Sequence, residues 1–270
     1  MTKTTALRKA LGRSLLFLTF ILFTAFTFIQ KREKPTLYII GDSTVKNGSG
    51  KGDGGMWGWG GIIDAYFNTE INIENHALGG TSSRTFQTRG LWKQVLDSLK
   101  PGDFVIMQFG HNDGGPLDDT ARARGTIKGT GSESREIYNP ILKKQEVVHT
   151  YGWYIGRFIQ EAKAKGAVPI VCSLVPRNIW ENGKVKRNTE DYTKWAEEAA
   201  KKYGAFFIDL NKITADKYDQ MGQEEVKTLF PVDHTHPGRK GAVVNALSVV
   251  EGLRQLKNCP LNSYLSVKPL

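Results

Sequence analysis

Residues 37–44 are Leu-Tyr-Ile-Ile-Gly-Asp-Ser-Thr, an apolar run that ends abruptly in a polar turn. A continuous run of β-forming residues without polar alternation is typical of a strand buried on both faces of a parallel sheet. Similar runs recur along the chain. We therefore predict five strands, at Leu37–Ile40, Ile71–Glu74, Phe104–Phe109, Val168–Val175 and Ala205–Leu210.

Longer segments with helical periodicity separate these runs. In Val147–Lys165, apolar side chains recur at steps of three and four, which gives a helix one face to pack on a sheet. We predict helices at Ile62–Asn68, Gly90–Leu99, Val147–Lys165, Glu190–Lys202 and Gly241–Lys257. The alternation predicts an α/β/α sandwich around a central five-stranded parallel sheet. The stretch Gly114–Gln145, after the third strand, is an insertion of a length that is usually functional or disordered.

The composition excludes wholesale disorder, because the 270 residues are 40% hydrophobic and 24% charged. The formal net charge is +10, but residues 1–34 hold seven basic residues and one acidic residue, a net +6, so the remainder carries only +4. This small excess argues against a nucleic-acid partner. Cys172 and Cys259 are too few for a disulfide-stabilised scaffold.

The N-terminal segment has the pattern of an export signal. The apolar run Leu15–Ile29 follows Arg8, Lys9 and Arg13, and further basic residues come after it. This run suits a signal peptide, but no clear cleavage site follows, so an uncleaved membrane anchor stays open. We expect residues 1–34 to be the signal peptide or anchor and residues 35–270 to form one domain. We also expect the protein to be exported, to the periplasm or the extracellular space.

Several candidate catalytic residues follow the predicted strands, where the carboxyl ends of a parallel sheet bind ligands, and two more lie in a turn before the last predicted helix. Ser43 is a candidate nucleophile, and Asp233 with His236 can supply the base and the acid that orients it. The N–H groups of Ser43 and Gly80 and the side-chain amide of Asn112 are candidate donors to an oxyanion.

Taken together, these residues resemble the SGNH hydrolases, the GDSL-like esterase superfamily. The sequence blocks that carry the resemblance are Gly41-Asp42-Ser43, Gly79-Gly80, Gly110-His111-Asn112-Asp113 and Asp233-His234-Thr235-His236. The resemblance implies a flavodoxin-like fold, Ser43 as nucleophile, His236 as base and Asp233 as its orienting acid. It also implies an oxyanion hole formed by Ser43, Gly80 and Asn112.

Within that superfamily the chain is most similar to the rhamnogalacturonan acetylesterases. The stretches that carry this similarity include Gly41-Asp42-Ser43-Thr44, Gly58-Trp59-Gly60 and Gly80-Thr81-Ser82-Ser83-Arg84. The similarity implies removal of acetyl groups from a pectic polysaccharide by a monomer that needs no metal. Tryptophans suit the faces of sugar rings and arginines suit uronate carboxylates. The candidate substrate-binding residues are therefore Trp57, Trp59, Trp180, Arg84, Arg89, His111 and Arg177.

Other functions stay open at this point. An esterase or lipase of the same superfamily could act on another acylated carbohydrate or a small ester. A metal-dependent phosphoesterase needs an early Asp-x-His and an Asn-His order, whereas this chain has Asp42 followed by Ser43-Thr44 and the order His111-Asn112. A carbohydrate-binding protein without turnover would be expected to have lost one of the candidate catalytic residues, and none is missing.

Overall fold

The computed structural model describes residues 33–46 and 52–266 of the chain. Its strands are β1 Thr36–Gly41, β2 Asn72–Asn75, β3 Phe104–Gln108, β4 Ser134–Asn139, β5 Lys144–His149, β6 Val168–Cys172, β7 Trp180–Glu181, β8 Lys184–Val185 and β9 Phe206–Ile208. Five of them form a parallel sheet in the order β2-β1-β3-β6-β9. This confirms the predicted five-stranded parallel sheet, and the strand order is that of flavodoxin-like folds.

The α-helices are α1 Ser83–Thr88, α2 Leu91–Ser98, α3 Tyr151–Ala164, α4 Tyr192–Tyr203, α5 Leu210–Met221, α6 Gln223–Lys227 and α7 Arg239–Gln255. Short 3-10 helices lie at Asp53–Gly55, Trp59–Gly61, Ile63–Tyr66 and Pro260–Tyr264. The predicted helix at Ile62–Asn68 is therefore replaced by the single short 3-10 helix Ile63–Tyr66. Helices α1, α5 and α6 were not predicted.

Alternate side chains of each central strand pack into two separate hydrophobic cores, because successive strand side chains point to opposite faces of the sheet. Leu37 and Ile39 pack with α7 and the 3-10 turns before β2. Tyr38 and Ile40 pack with the helices α1 to α4 on the other face. The sheet is thus the middle layer of the predicted α/β/α sandwich.

Two predicted boundaries were wrong for reasons of packing. The predicted helix Val147–Lys165 begins only at Tyr151, because β5 continues to His149 and the Thr150 side chain caps the helix by accepting from the Trp153 N–H at 3.1 Å. The predicted strand Val168–Val175 ends at Cys172, because the neighbouring strands β3 and β9 pair with β6 no further than that residue.

The insertion Gly114–Gln145 contains ordered structure. Strands β4 and β5 form an antiparallel hairpin in which Ser134 pairs with His149 and Asn139 pairs with Lys144. A smaller hairpin, β7-β8, lies between β6 and α4. Neither hairpin was predicted, because both lie outside the apolar runs that identified the central strands.

The predicted signal peptide or anchor, including the run Leu15–Ile29, lies outside the described residues. Within the described part of the chain, no helix is both long enough and apolar enough to cross a membrane. Cys172 and Cys259 are both buried free thiols.

Candidate active site

The turn after β1 holds Ser43 at the carboxyl edge of the sheet. Asp42 and Thr44 on either side of it are fully buried. One Asp42 carboxylate oxygen, Oδ1, accepts from the Thr44 N–H at 2.9 Å and from the Thr44 hydroxyl at 2.8 Å. The Asp42 carbonyl accepts from the N–H groups of Val45 and Lys46, which closes the turn. The bonds made by its buried neighbours therefore hold the serine in the turn and leave its own hydroxyl for the cavity.

Ser43, His236 and Asp233 form a continuous chain of hydrogen bonds. The Ser43 hydroxyl lies 2.8 Å from His236 Nε2, and His236 Nδ1 lies 2.8 Å from Asp233 Oδ2. The other oxygen of Asp233 accepts from the backbone N–H groups of Thr235 at 2.6 Å and His236 at 2.8 Å. Burial alone would raise the pKa of Asp233, but these hydrogen bonds outweigh it and lower the pKa to about 2. Asp233 is therefore a carboxylate at neutral pH.

Backbone contacts from distant segments hold the turn that carries Asp233 and His236. The Asn178 N–H donates to the His234 carbonyl at 2.7 Å, and the Trp57 N–H donates to the Pro237 carbonyl at 2.8 Å. The turn leads directly into α7. It is thus fixed on both sides, which keeps the histidine at hydrogen-bonding distance from a serine far away in sequence.

The three candidate oxyanion donors lie at the same cavity as the serine and the histidine. Ser43, Gly80, Asn112 and His236 all line it. The Asn112 amide donates one N–H to the Thr81 carbonyl at 2.8 Å, and this bond leaves its second N–H for another acceptor. Gly80 has a φ of +78°, in the left-handed region that favours glycine.

Asp113, directly after Asn112, is fully buried and ties three segments together. Its Oδ1 accepts from the Ser83 N–H at 3.1 Å and from the Ser83 hydroxyl at 2.5 Å, and its carbonyl accepts from the Thr126 N–H at 2.8 Å. Its Oδ2 has no hydrogen-bond partner among the described residues. Burial raises the pKa of Asp113 to about 7 despite the bonds from Ser83.

The Gly-Trp-Gly segment supports the serine turn and does not form a sugar-binding wall. Trp59 is fully buried, and its indole N–H donates to the Gln108 side-chain oxygen at 2.8 Å. The Gln108 amide in turn donates to the Thr44 hydroxyl at 2.6 Å. A Cβ at Gly58 would lie 2.2 Å from the Val45 backbone, so only glycine permits this close packing. The expectation that Trp59 contacts substrate is therefore corrected.

His111 lies at the cavity, but both of its ring nitrogens are occupied. Nδ1 faces Asp42 Oδ2 at 3.3 Å and Nε2 faces the Val175 carbonyl at 3.0 Å, and the side chain is only 2% exposed. Burial alone would raise the pKa of Asp42, but His111 and the Thr44 bonds outweigh it and lower that pKa. His111 thus links the turns after three strands, and it has no ring nitrogen left to bind a substrate.

The other predicted substrate contacts divide into two groups. Arg84 is fully buried and paired with Glu146. The Trp180 indole N–H donates to the Asn178 side-chain oxygen, and its ring packs against a separate apolar cluster. The arginine is therefore not available to a substrate, and neither Trp180 nor Trp57 is among the described residues that line the cavity. Arg89 and Arg177 do line it, as predicted from the sequence.

The cavity itself has a volume of about 700 Å³ and a strongly basic lining. Four arginines border it, Arg89, Arg122, Arg124 and Arg177, and none of the described lining residues carries a carboxylate. Burial and the neighbouring Arg122 lower the pKa of Arg124, whose guanidinium donates to the Gly80 carbonyl at 3.1 Å. Ile141 and Leu142 form an apolar part of the same lining.

Several of the residues that line the cavity were not predicted from the sequence. Arg122, Arg124, Ile141 and Leu142 all come from the insertion Gly114–Gln145. The signal was the position and length of the insertion, which follows β3 and the turn that holds Asn112. Within the described residues, no group of three or more His, Cys, Asp or Glu side chains is arranged to hold a metal ion.

Comparison with known proteins identifies the family. The model of the GDSL-like lipase/acylhydrolase family matches residues 39–244, which include every candidate catalytic residue named above. The chain belongs to this family. The predicted resemblance to GDSL-like hydrolases, and with it the prediction of a hydrolytic enzyme, is confirmed.

Individual members of the GDSL-like family are similar over most of the chain. The rhamnogalacturonan acetylesterase of Emericella nidulans is 32% identical over 227 residues, which are 84% of this chain and 87% of that protein. The rhamnogalacturonan acetylesterase RhgT of Bacillus subtilis is 30% identical over 244 residues, 85% of this chain and 93% of that protein. The crystal structure of YxiM from Bacillus subtilis has a TM-score of 0.66 at 24% identity and covers 82% of this chain and 56% of its own, a likeness of fold.

Proposed function

We propose that this protein is a serine carbohydrate esterase that removes acetyl groups from an acidic pectic polysaccharide, rhamnogalacturonan. The observation that carries the proposal is the hydrogen-bonded chain Ser43–His236–Asp233 at a cavity bordered by four arginines. The similarity to two proteins named rhamnogalacturonan acetylesterase supports the same substrate.

In the proposed reaction, the Ser43 hydroxyl attacks the acetyl carbonyl while His236 Nε2 takes its proton. The oxyanion of the tetrahedral intermediate accepts from the N–H groups of Ser43 and Gly80 and from the free N–H of the Asn112 amide. His236 then protonates the sugar oxygen as its bond to the acetyl carbon breaks. A water molecule, deprotonated by the same imidazole, attacks the acetyl-enzyme, and acetate leaves as Ser43 regains its proton.

Asp233 acts through the histidine in this scheme. Because its pKa is lowered to about 2, it stays ionised while His236 gains and loses a proton. A carboxylate 2.8 Å from Nδ1 keeps the proton of the neutral imidazole on that nitrogen. Nε2 is then the acceptor that the serine hydroxyl needs.

The basic lining supports an anionic substrate. Each arginine presents a planar fork of N–H donors that matches a carboxylate, and galacturonate units carry one carboxylate each. A volume of about 700 Å³ lies within the range of cavities that hold a small ligand, so a few sugar units of a longer chain fit. A neutral acetylated polymer would leave these cations without counter-charges.

We also propose that the protein is exported through its N-terminal segment and acts as a monomer. A polysaccharide substrate is met outside the cell. The basic residues followed by the apolar run Leu15–Ile29 support export. Cell fractionation, with N-terminal sequencing of the mature protein, tests both the location and the cleavage.

The first experiment measures acetate release from acetylated rhamnogalacturonan by the wild type and by Ser43→Ala. We expect the variant to lose activity and also to lose covalent labelling by a phosphonylating reagent, and we expect a chelator to have no effect. Ser98→Ala, an exposed serine at the end of α2, is the matched control. Activity that survives Ser43→Ala but is lost with chelator would replace the serine mechanism by a metal-dependent one.

The second experiment tests the substrate charge. Arg122→Gln should lower kcat/KM for acetylated rhamnogalacturonan by about tenfold or more, because a bond to a charged group is lost. The same variant should leave acetylated xylan unaffected. Arg135→Gln, at an exposed residue of β4, is the control. Equal losses on the neutral and the acidic polymer would remove the pectic substrate from the proposal.

A further inference from the structure

The insertion Gly114–Gln145 forms one wall of the active-site cavity. It contributes Arg122 and Arg124 from its first half and Ile141 and Leu142 from the tip of the β4-β5 hairpin. Loop residues that line a binding site need rigid support, because a polymeric substrate must contact several of them simultaneously. The support of this wall comes from three side chains that the catalytic scheme does not use.

Arg84 is the centre of that support. Its Nε and Nη2 each donate to a different Glu146 oxygen at 2.7 Å. Its Nη1 donates to the Leu117 carbonyl at 2.7 Å and the Gly125 carbonyl at 2.8 Å. The arginine side chain is completely buried and the Glu146 side chain is 8% exposed. Because the guanidinium is planar and rigid, these four bonds fix three segments of the insertion region relative to α1.

Glu146 passes this support on to the hairpin tip. One of its oxygens accepts from the side-chain amide of Asn139, which is also buried. The Asn139 side-chain oxygen accepts from the backbone N–H groups of Ile141 and Leu142, both at 2.9 Å. A chain of hydrogen bonds therefore runs from Arg84 through Glu146 and Asn139 to the backbone N–H groups of the two apolar residues of the wall.

The arginine side of the wall is also rigidly built. Gly125, whose carbonyl binds Arg84, lies so close to the Gly115 carbonyl oxygen that a Cβ would be 1.9 Å from it. Ala123, between the two cavity arginines, has a φ of +42°, a left-handed conformation that costs a non-glycine residue energy. A strained residue persists where the surroundings determine its conformation, and Arg84 binds the carbonyls of Leu117 and Gly125 on either side of Ala123 in the sequence.

We propose that Arg84, Glu146 and Asn139 form a positioning relay that holds this wall in the conformation that binds the polysaccharide. The inference rests on the proposed function and names the residues that make the site selective for a long substrate. None of these side chains bonds to Ser43, His236 or Asn112 in the described part of the chain. The relay therefore governs polymer binding and leaves the chemical step on a small ester intact.

The test compares two substrates in variants of the relay. Arg84→Lys keeps the positive charge but removes the planar guanidinium that donates to both Glu146 oxygens. Glu146→Gln keeps the shape of the side chain but removes its negative charge. For each, we expect KM for acetylated rhamnogalacturonan to rise about tenfold or more, while kcat/KM for 4-nitrophenyl acetate changes less than about threefold. Amides of residues 117–125 and 139–142 should exchange with deuterium faster than in the wild type.

The matched control is Arg187→Lys. Arg187 also binds two carboxylates, Asp216 at 2.6 Å and Asp219 at 2.8 Å, and the Val185 carbonyl of the other hairpin. It is not among the described residues lining the active-site cavity. This variant should therefore leave KM for the polymer unchanged. An equal rise of KM in Arg187→Lys would mean that general loosening, rather than the relay, affects binding.

Three further results would overturn the inference. These are equal losses on both substrates, an unchanged KM for the polymer in a folded relay variant, and faster exchange spread over the whole domain. If neither relay variant folds, exchange in Ser43→Ala with and without a rhamnogalacturonan oligosaccharide decides the matter, because binding must protect residues 122–124 and 139–142. A wild type that releases no acetate from the polymer would instead refute the proposed function, whatever the variants do.

Discussion

Replacing Asp233 by asparagine changes one heavy atom of the proposed triad and should reverse the polarity of its hydrogen bond to His236. The asparagine oxygen can still accept from the backbone N–H groups of Thr235 and His236, as Asp233 Oδ1 does at 2.6 and 2.8 Å. Its NH₂ group then faces His236 Nδ1 across 2.8 Å. An amide donor there favours the tautomer with the proton on Nε2, and that nitrogen can no longer accept the Ser43 proton.

The size of the effect follows from the tautomer and from the exposure of the site. In serine proteases the corresponding change lowers kcat by about 10⁴. The Asp233 side chain is 40% exposed, so water can compete with the amide for Nδ1. We therefore expect a smaller loss in kcat of about 10² to 10³, which is similar to the effect of removing a single oriented hydrogen-bond donor.

The same substitution has a smaller effect on stability. Lowering the Asp233 pKa from 3.8 to about 2 corresponds to roughly 2 kcal/mol before solvent screening and, at this exposure, to about 1 kcal/mol. Because the folded-state pKa is depressed, this stabilisation is present above the unfolded-state pKa. It is lost as the pH falls from about 4 towards 2.

The assay combines kcat for 4-nitrophenyl acetate with urea unfolding at pH 7 and at pH 3. Asp97→Asn is the matched control, because Asp97 pairs only with Lys93 on the exposed surface of α2 among its described contacts. It should retain full activity. If Asp233→Asn keeps kcat within about threefold of the wild type, Asp233 does not orient His236 and the proposed triad loses that member.

Two further substitutions test the buried support of the site. Asp113→Asn should weaken the pH dependence of the unfolding free energy. Because burial raises the Asp113 pKa to about 7, the wild type should lose up to about 4 kcal/mol of unfolding free energy between pH 4 and pH 8. The variant, which has no carboxyl group there, should lose less. Parallel urea-unfolding curves for the two proteins at both pH values would contradict this. Trp59→Phe should cost about 2 kcal/mol in urea unfolding, since the Gln108 side-chain oxygen loses its buried donor. The control is Trp180→Phe, because the Trp180 indole is only half-buried, and this variant should lose less unfolding free energy. An equal loss in the two variants would mean that burial of the Trp59 hydrogen bond is unimportant.

The sequence predicted the centre of the fold better than its edges. Runs such as Leu37–Ile40 identify buried parallel strands locally, because both faces of each strand must be apolar. The end of β6 depends instead on where its neighbours stop pairing, and the β4-β5 hairpin has one exposed face and no continuous apolar run. Such boundaries are properties of the assembled sheet rather than of the local sequence.

The candidate site divides in the same way. Ser43, Gly80, Asn112, Asp233 and His236 were selected from their positions after predicted strands and their spacing. The structure brings Ser43, Gly80, Asn112 and His236 to one cavity, and Asp233 is hydrogen-bonded to His236. The assignment of individual arginines and tryptophans to the substrate was less successful. Trp59 and Arg84 have the chemistry expected of ligand contacts, and the structure buries both.

The parallel sheet and the polar turns at its carboxyl edge are predictable from the sequence, because the pattern of a strand and the turn after it lie in neighbouring residues. Which cations face the cavity is known only once the chain is folded. Arg84 is 62 residues from its partner Glu146, and the insertion that separates them supplies Arg122 and Arg124 to the lining. A charged side chain is buried or exposed according to the partners that folding brings to it, and those partners lie far away along the chain.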